Sequence, residues 1–119
     1  MKKIISLLLI ICVVTIGFTS CANFSEEDQT IAEKCAKQEA EEYYEEYFEG
    51  KTISGVSYSS CSTSVKNAEF KGGKYIITIA LYAKVSNGTY YTSMPLMDIE
   101  YSITVKNEKA TVVKTEYLN

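Results

Sequence analysis

Three patterns of hydrophobic and polar positions follow one another along the chain. Ile4 to Phe18 form an apolar run that carries no charge and is preceded by Lys2 and Lys3. Residues 22–27 are short and mostly polar. From there to Phe48 the apolar positions recur three and four apart: Ala32, Ala36, Ala40, Tyr43 and Tyr47, with Ile31, Cys35, Tyr44 and Phe48 widening the same stripe. That spacing predicts a helix with one buried face. Thr30 with Glu33 has the form of a capping box, Ser25 with Asp28 offers a second cap one turn earlier, and Gly50 suits the C-terminal stop.

After Gly50 the residues turn β-branched and aromatic, with turn signals between them. We read antiparallel strands near 53–62, 65–70, 74–86, 89–105 and 110–117. Asn87 and Gly88 suit a two-residue type I′ hairpin. Ile77, Ile79, Leu81 and Val85 share one face before it, and a two-residue turn puts Tyr90, Met94 and Leu96 on that face after it. Beyond Pro95 the alternation changes phase, because Met97, Ile99, Tyr101, Ile103 and Val105 are now the apolar set. One residue has slipped, which predicts a β-bulge near Pro95, a residue that cannot donate to the ladder. Both faces of Thr111 to Tyr117 carry a similar mixture, so the register of the last strand stays open.

The first apolar run behind two lysines is the n-region and h-region of an export signal. It falls short of the about 20 apolar residues that cross a bilayer. Phe18, Thr19, Ser20 and Cys21 close the run, and this ending resembles the lipobox of bacterial lipoproteins, in which small residues precede a cysteine that receives a diacylglyceryl group. Phe18 stands where that family usually has an aliphatic residue. The resemblance implies cleavage before a lipidated Cys21 and stable membrane anchoring by two acyl chains. Ordinary cleavage, with Ser20 and Ala22 flanking the cut, gives a secreted domain instead, and an uncleaved run gives a single-span anchor. The chain thus divides into a signal peptide (1–20), a lipidated tether (21–27) and one domain (28–119).

The fold class expected is α+β, with one long N-terminal helix packed on a curved antiparallel sheet of four to five strands. A helix of about 20 residues and strands of about 10 residues both span roughly 30 Å, so one can lie across the other. This order of elements resembles the cystatin-like and NTF2-like architectures. The Gln-x-Val-x-Gly hairpin of cystatin-type protease inhibitors does not occur in the chain, so their activity is not implied.

Composition narrows the function. Setting aside Lys2 and Lys3, the remaining chain holds 10 Lys against 15 Asp plus Glu, a net charge of −5 that argues against nucleic acid as a partner. There is no His, Arg or Trp. Without His the commonest general base and metal ligand is missing, and without Arg the bidentate phosphate clamp. No cofactor or metal site is expected. Of the four cysteines, Cys12 lies in the h-region and Cys21 is the lipid site that the lipobox resemblance implies. Cys35 and Cys61 are left, and an exported domain most often joins such a pair in a disulfide, which would add roughly 3 to 4 kcal/mol. Two buried free thiols are the alternative.

Residues 26–49 carry ten acidic residues and two Lys. The acids Glu39, Glu41, Glu42, Glu45, Glu46 and Glu49 read as a solvated helix face, with a cation or basic-partner surface as the functional alternative. Asp98 and Glu100 share a strand face, where a carboxylate pair can serve as acid and base but is more often the wet side of a strand. Ten Tyr are present, and Tyr82 and Tyr91, which alternate away from Leu81 and Tyr90, form the candidate binding surface. The sequence therefore reads as a small exported lipoprotein at the cell envelope, non-enzymatic, binding a protein, peptide or small ligand through its sheet. The competing reading is a small hydrolase or isomerase with a pocket inside the roll.

Overall fold

A computed structural model describes residues 23–118. The apolar run, Cys12 and the expected lipid site Cys21 lie outside the described residues. Helix α1 (Glu26–Tyr47) is followed by strands β1 (Thr52–Ile53), β2 (Val56–Lys71), β3 (Lys74–Ser86), β4 (Tyr91–Lys106) and β5 (Lys109–Leu118). The strands form one antiparallel sheet in sequence order, with α1 packed on one face. This is the expected α+β arrangement.

Ser25, not Thr30, caps the helix. Its Oγ accepts from the Asp28 amide at 3.3 Å, while the Thr30 hydroxyl donates to the Glu26 carbonyl inside the helix. Glu26, Glu27 and Asp28 then face the positive end of the helix dipole. The last turn has no basic side chain to offset the negative end. There the Lys51 ammonium donates to the Glu46 carbonyl at 3.1 Å. The N-terminal end is tied to the sheet at Tyr75, whose hydroxyl accepts from the Ser25 amide at 2.9 Å and donates to the Ser25 carbonyl at 3.3 Å. Phe24, Phe70 and Tyr75 pack around that joint.

Ala32, Ala36 and Ala40 have no exposed surface. Side chains this small bring the helix axis close to the strands. Opposite them lie Ile77, Ile79 and Leu81 of β3 and Ile99, Tyr101 and Ile103 of β4, none more than 2% exposed. Each fully buried aliphatic side chain contributes about 1.5–3 kcal/mol relative to exposure. Tyr44 fills the other end of this layer and donates its hydroxyl to the Ser59 carbonyl at 3.1 Å.

The turns and registers differ from the sequence reading in two places. The two segments expected near 53–62 and 65–70 are a two-residue β1 and one long β2, broken by shifts between Tyr58 and Cys61 and between Val65 and Asn67. At the first shift the Ser59 hydroxyl donates to the Lys84 carbonyl at 2.8 Å, standing in for a ladder bond. The Asn87–Gly88 hairpin is not a two-residue turn, since Ser86 pairs with Tyr91 across a loop of four. Asn87 Oδ1 accepts from the amides of Thr89 and Tyr90 at 3.0 and 3.1 Å, and Ser86 Oγ accepts from the Gly88 amide. These side-chain acceptors offer the backbone an alternative to the tight turn. Tyr90 consequently leaves the core face and is 72% exposed. Two-residue turns with positive φ at both central positions occur instead at Ser54–Gly55, Gly72–Gly73 and Asn107–Glu108.

The bulge expected near Pro95 is present. Tyr82 pairs with Pro95 and Leu81 with Met97, so Leu96 is the extra residue. A second bulge accounts for the open register of β5: Ser102 pairs with Lys114 and Ile103 with Val112, leaving Val113 over. The apolar set of β5 therefore changes face in mid-strand. Each bulge adds bend and twist to its strand.

Candidate functional site

The face of the sheet turned away from α1 carries the candidate site. Its side chains follow from the register, with Ser62, Tyr82 and Pro95 in one cross-strand row and Ser64, Ala80 and Asp98 in the next. The second row is low because Ser64 and Ala80 are small. Tyr82 stands on one side of it, and the Lys66 side chain closes the other by bonding Asp98 across β3, Nζ to Oδ2 at 2.5 Å. Leu96, the bulged residue of β4, borders the groove at the same level. Together Ser64, Lys66, Ala80, Tyr82, residues 95–97 and Asp98 line an open groove of about 380 Å³.

The groove is partly charged yet balanced. The hydrogen bond to Asp98, and then the carboxylate's charge, hold the Lys66 ammonium above the usual lysine range. Both ends of the pair meet solvent, the side chains being 60% and 28% exposed. A polar ligand group can exchange with either partner at small cost, since exposed ion pairs are weak. Tyr82 adds a half-exposed ring at the rim, 37% accessible.

Tyr82 and Tyr91 do share the outer face, but they do not form one aromatic surface. Tyr91 pairs with Ser86, four residues along β3 from Tyr82, a separation of about 13 Å at 3.3 Å per residue. Only Tyr82 lines the groove; Tyr91, 71% exposed, stands near the loop. Asp98 and Glu100 also share this face, through partners Ala80 and Thr78. Asp98, however, is engaged with Lys66. Sequence reasoning missed Lys66 because it is the extra residue of a β2 bulge and so has no place in a period-two pattern.

The expected disulfide is not formed; Cys35 and Cys61 are free thiols. Both face the helix–sheet layer, but at different ends of it. Cys61 lies near Tyr44 and is raised in pKa by burial and then by Glu41, Glu49 and Glu45. Cys35, nine residues before Tyr44 and so about 13 Å along the helix, lies near Tyr101. Burial, with help from Glu39 and Glu42, pushes its thiol up to about 11. A disulfide needs Cα atoms within about 7 Å. The acidic residues divide likewise, Glu41, Glu45 and Glu49 lying toward Cys61 of β2, Glu39 and Glu46 toward Tyr117 of β5, and Glu42 toward Tyr101 of β4. Among the described residues no three His, Cys, Asp or Glu side chains gather as a metal site, and no helix is long and apolar enough to cross a membrane.

No protein-family model, no curated protein and no solved structure matches the chain.

Proposed function

We propose that the chain is a small exported lipoprotein, held outside the cytoplasmic membrane by a diacylglyceryl group on Cys21, whose domain binds a protein, peptide or small ligand in the outer-face groove. The observation that carries this reading is the groove itself. It combines small residues on its floor, an exchangeable Lys66–Asp98 pair and an aromatic rim at Tyr82, on a sheet face that no described element covers. Concave sites with a few convergent polar groups are where ligands bind.

The anchor reading rests on the lysine-flanked apolar run and the Ser20–Cys21 ending. From Cys21 to the Ser25 cap the chain is only four residues long, at most about 13 Å. A lipid on Cys21 therefore keeps the Phe24–Phe70–Tyr75 end of the domain against the bilayer and leaves the groove to one side.

The competing reading, an enzyme with a pocket inside the roll, needs a polar cavity between helix and sheet. That layer is occupied by Tyr44, Ile77, Ile79, Leu81, Ile99 and Ile103 with the three alanines, and this weighs against it.

Intact mass of the membrane-extracted protein tests the anchor: the expected species starts at Cys21 and carries a diacylglyceryl adduct. A mass that starts elsewhere without the adduct removes the lipoprotein reading. For the groove, a fragment and peptide library is screened by amide chemical shifts. Hits are expected to perturb Ser64, Lys66, Ala80 and Tyr82 and to weaken in Tyr82→Ala and Lys66→Ala. Turnover in a hydrolase panel that Asp98→Asn abolishes would overturn the non-enzymatic reading.

A further inference from the structure

A second surface lies at the edge of the sheet. Strand β5 is the last in the order, and among the described residues no strand pairs with its outer side. Such an edge presents a row of backbone donors and acceptors ready to pair with another chain. Strands that end exposed sheets are commonly shielded by lysines, but the lysines of β5 do not guard this one on the helix side. Lys109 and Lys114 pair with Lys106 and Ser102 and point to the outer face.

On the helix side the edge is bordered by aromatic rings and carboxylates. Tyr43 lies with its ring centroid 4.9 Å from Tyr47 and 5.0 Å from Tyr117, so the three rings form one surface spanning helix and strand. Tyr47 and Tyr117 are 52% and 55% exposed. Glu39 and Glu46 lie close enough that, after burial and the neighbouring tyrosines, they help to raise the Tyr117 hydroxyl's pKa. Residues 26–49 as a whole carry ten acidic side chains against two Lys.

We propose that this flank binds an extended, lysine- or arginine-bearing segment of a partner protein, added as a further strand alongside β5. Its backbone pairs with the open edge, and the cationic side chains on its helix-facing positions lie over Tyr47 and Tyr117 in the negative field of Glu39 and Glu46. Three features select this occupant. The open edge calls for an extended backbone, the tyrosine faces attract cations, and the carboxylates set the sign of the charge. A second copy of this chain fits poorly, because a two-fold edge-to-edge pair would bring the same acidic flank against itself. Nucleic acid and an anionic lipid surface meet the same repulsion.

The test is calorimetric titration of the full chain in a zwitterionic detergent with a capped peptide of alternating Lys and Thr. The Lys/Thr peptide is expected to bind and the matching Glu/Thr peptide not to bind. A Lys/Thr peptide N-methylated at alternate residues, which keeps its charge but loses strand donors, is expected to bind at least about tenfold more weakly. Tyr47→Ala and Tyr117→Ala, both at half-exposed positions, are each expected to weaken binding about two- to fivefold. Tyr82→Ala is expected to bind as the unaltered chain does, which separates this flank from the groove. Equal binding of the Lys and Glu peptides, undiminished binding of the N-methylated peptide, or loss of binding in Tyr82→Ala alone would each overturn the proposal. So would sedimentation showing a dimer that Tyr117→Ala dissolves, since the occupant would then be a second copy.

Discussion

Cys35 makes the fold alkali-sensitive in a way that can be calculated. It lies on the buried face of α1, 8% exposed. Burial first, and the Glu39 and Glu42 carboxylates after it, push its thiol from 9.0 up to about 11. Below about pH 9 the thiol is protonated in both folded and unfolded chains, and its contribution to stability is fully present. Between about pH 9 and 11 the unfolded chain releases a proton that the folded chain keeps, so stability falls as pH rises. A shift of about two units corresponds to a loss of at most about 2.7 kcal/mol across that window. The perturbation is Cys35→Ala, whose cavity cost is a constant offset at every pH. Urea unfolding of both proteins from pH 8 to 11, under a phosphine reductant, gives the difference in stability. That difference is expected to shrink by about 2 kcal/mol over the window. Tyr101, raised by burial first and then by Glu39, keeps its proton in both folded proteins over this window and cancels to first order. Parallel curves would refute the reasoning, because Cys35 would then not be a buried, titrating thiol. A wild-type mass two hydrogens lighter without reductant would do the same, restoring the disulfide.

Two further outcomes follow from the described geometry. Tyr75→Phe removes the hydroxyl that bonds both backbone groups of Ser25 while keeping the ring against Phe24 and Phe70; a loss of about 1 kcal/mol lowers the melting temperature by about 4–8 °C, and amide exchange of the first helical turn speeds up more than that of β3. Deletion of Leu96 leaves Pro95 opposite Tyr82 and Met97 opposite Leu81 in an unbroken ladder, so the fold is expected to survive by circular dichroism while ligands of the groove no longer shift the Tyr82 amide.

The parts of this fold that the sequence made legible are those with one repeating signal. The alanine stripe of α1 and the alternation of Ile77, Ile79 and Leu81 each point to a single buried face, and those residues are the core. The bulge at Leu96 was legible for the opposite reason, as two clean alternations out of phase on either side of Pro95. Where no alternation exists, phase cannot be followed. Strand β2 carries Ser59, Ser60, Ser62 and Ser64, which say nothing about face, so its two bulges were hidden and Lys66 with them. At Asn87 local chemistry overrode the dipeptide rule, since the asparagine side chain captured two amides. The places of Cys35 and Cys61 were not legible either, because spacing along the chain does not say which turn of a helix crosses which strand. The groove was invisible for a related reason: its residues come from three strands, and only the register brings Ser64, Ala80 and Asp98 into one row.

Geometry also explains why the candidate surfaces sit where they do. A helix is about 10–12 Å across with its side chains, whereas four long strands about 4.8 Å apart make a sheet some 15–20 Å wide. One helix therefore covers the middle of one face and leaves two flanks and the opposite face without a covering element among the described residues. Aliphatic residues suit the covered strip, and the core follows it closely along β3 and β4. On the flanks a side chain must bury its body and wet its tip, which Tyr does. Tyr58, Tyr43 and Tyr117 are packed there beside the helix. Glutamates of α1, with Glu49 just after it, line the same two flanks, so each is aromatic and acidic at once. The β2 flank is partly closed by β1 and the Gly50–Lys51 backbone, which bonds Tyr58 in both directions. The β5 flank has no such cover among the described residues. An opening that is covered on one side of a domain and bare on the other, with matching chemistry on both, is what a site for an added strand requires.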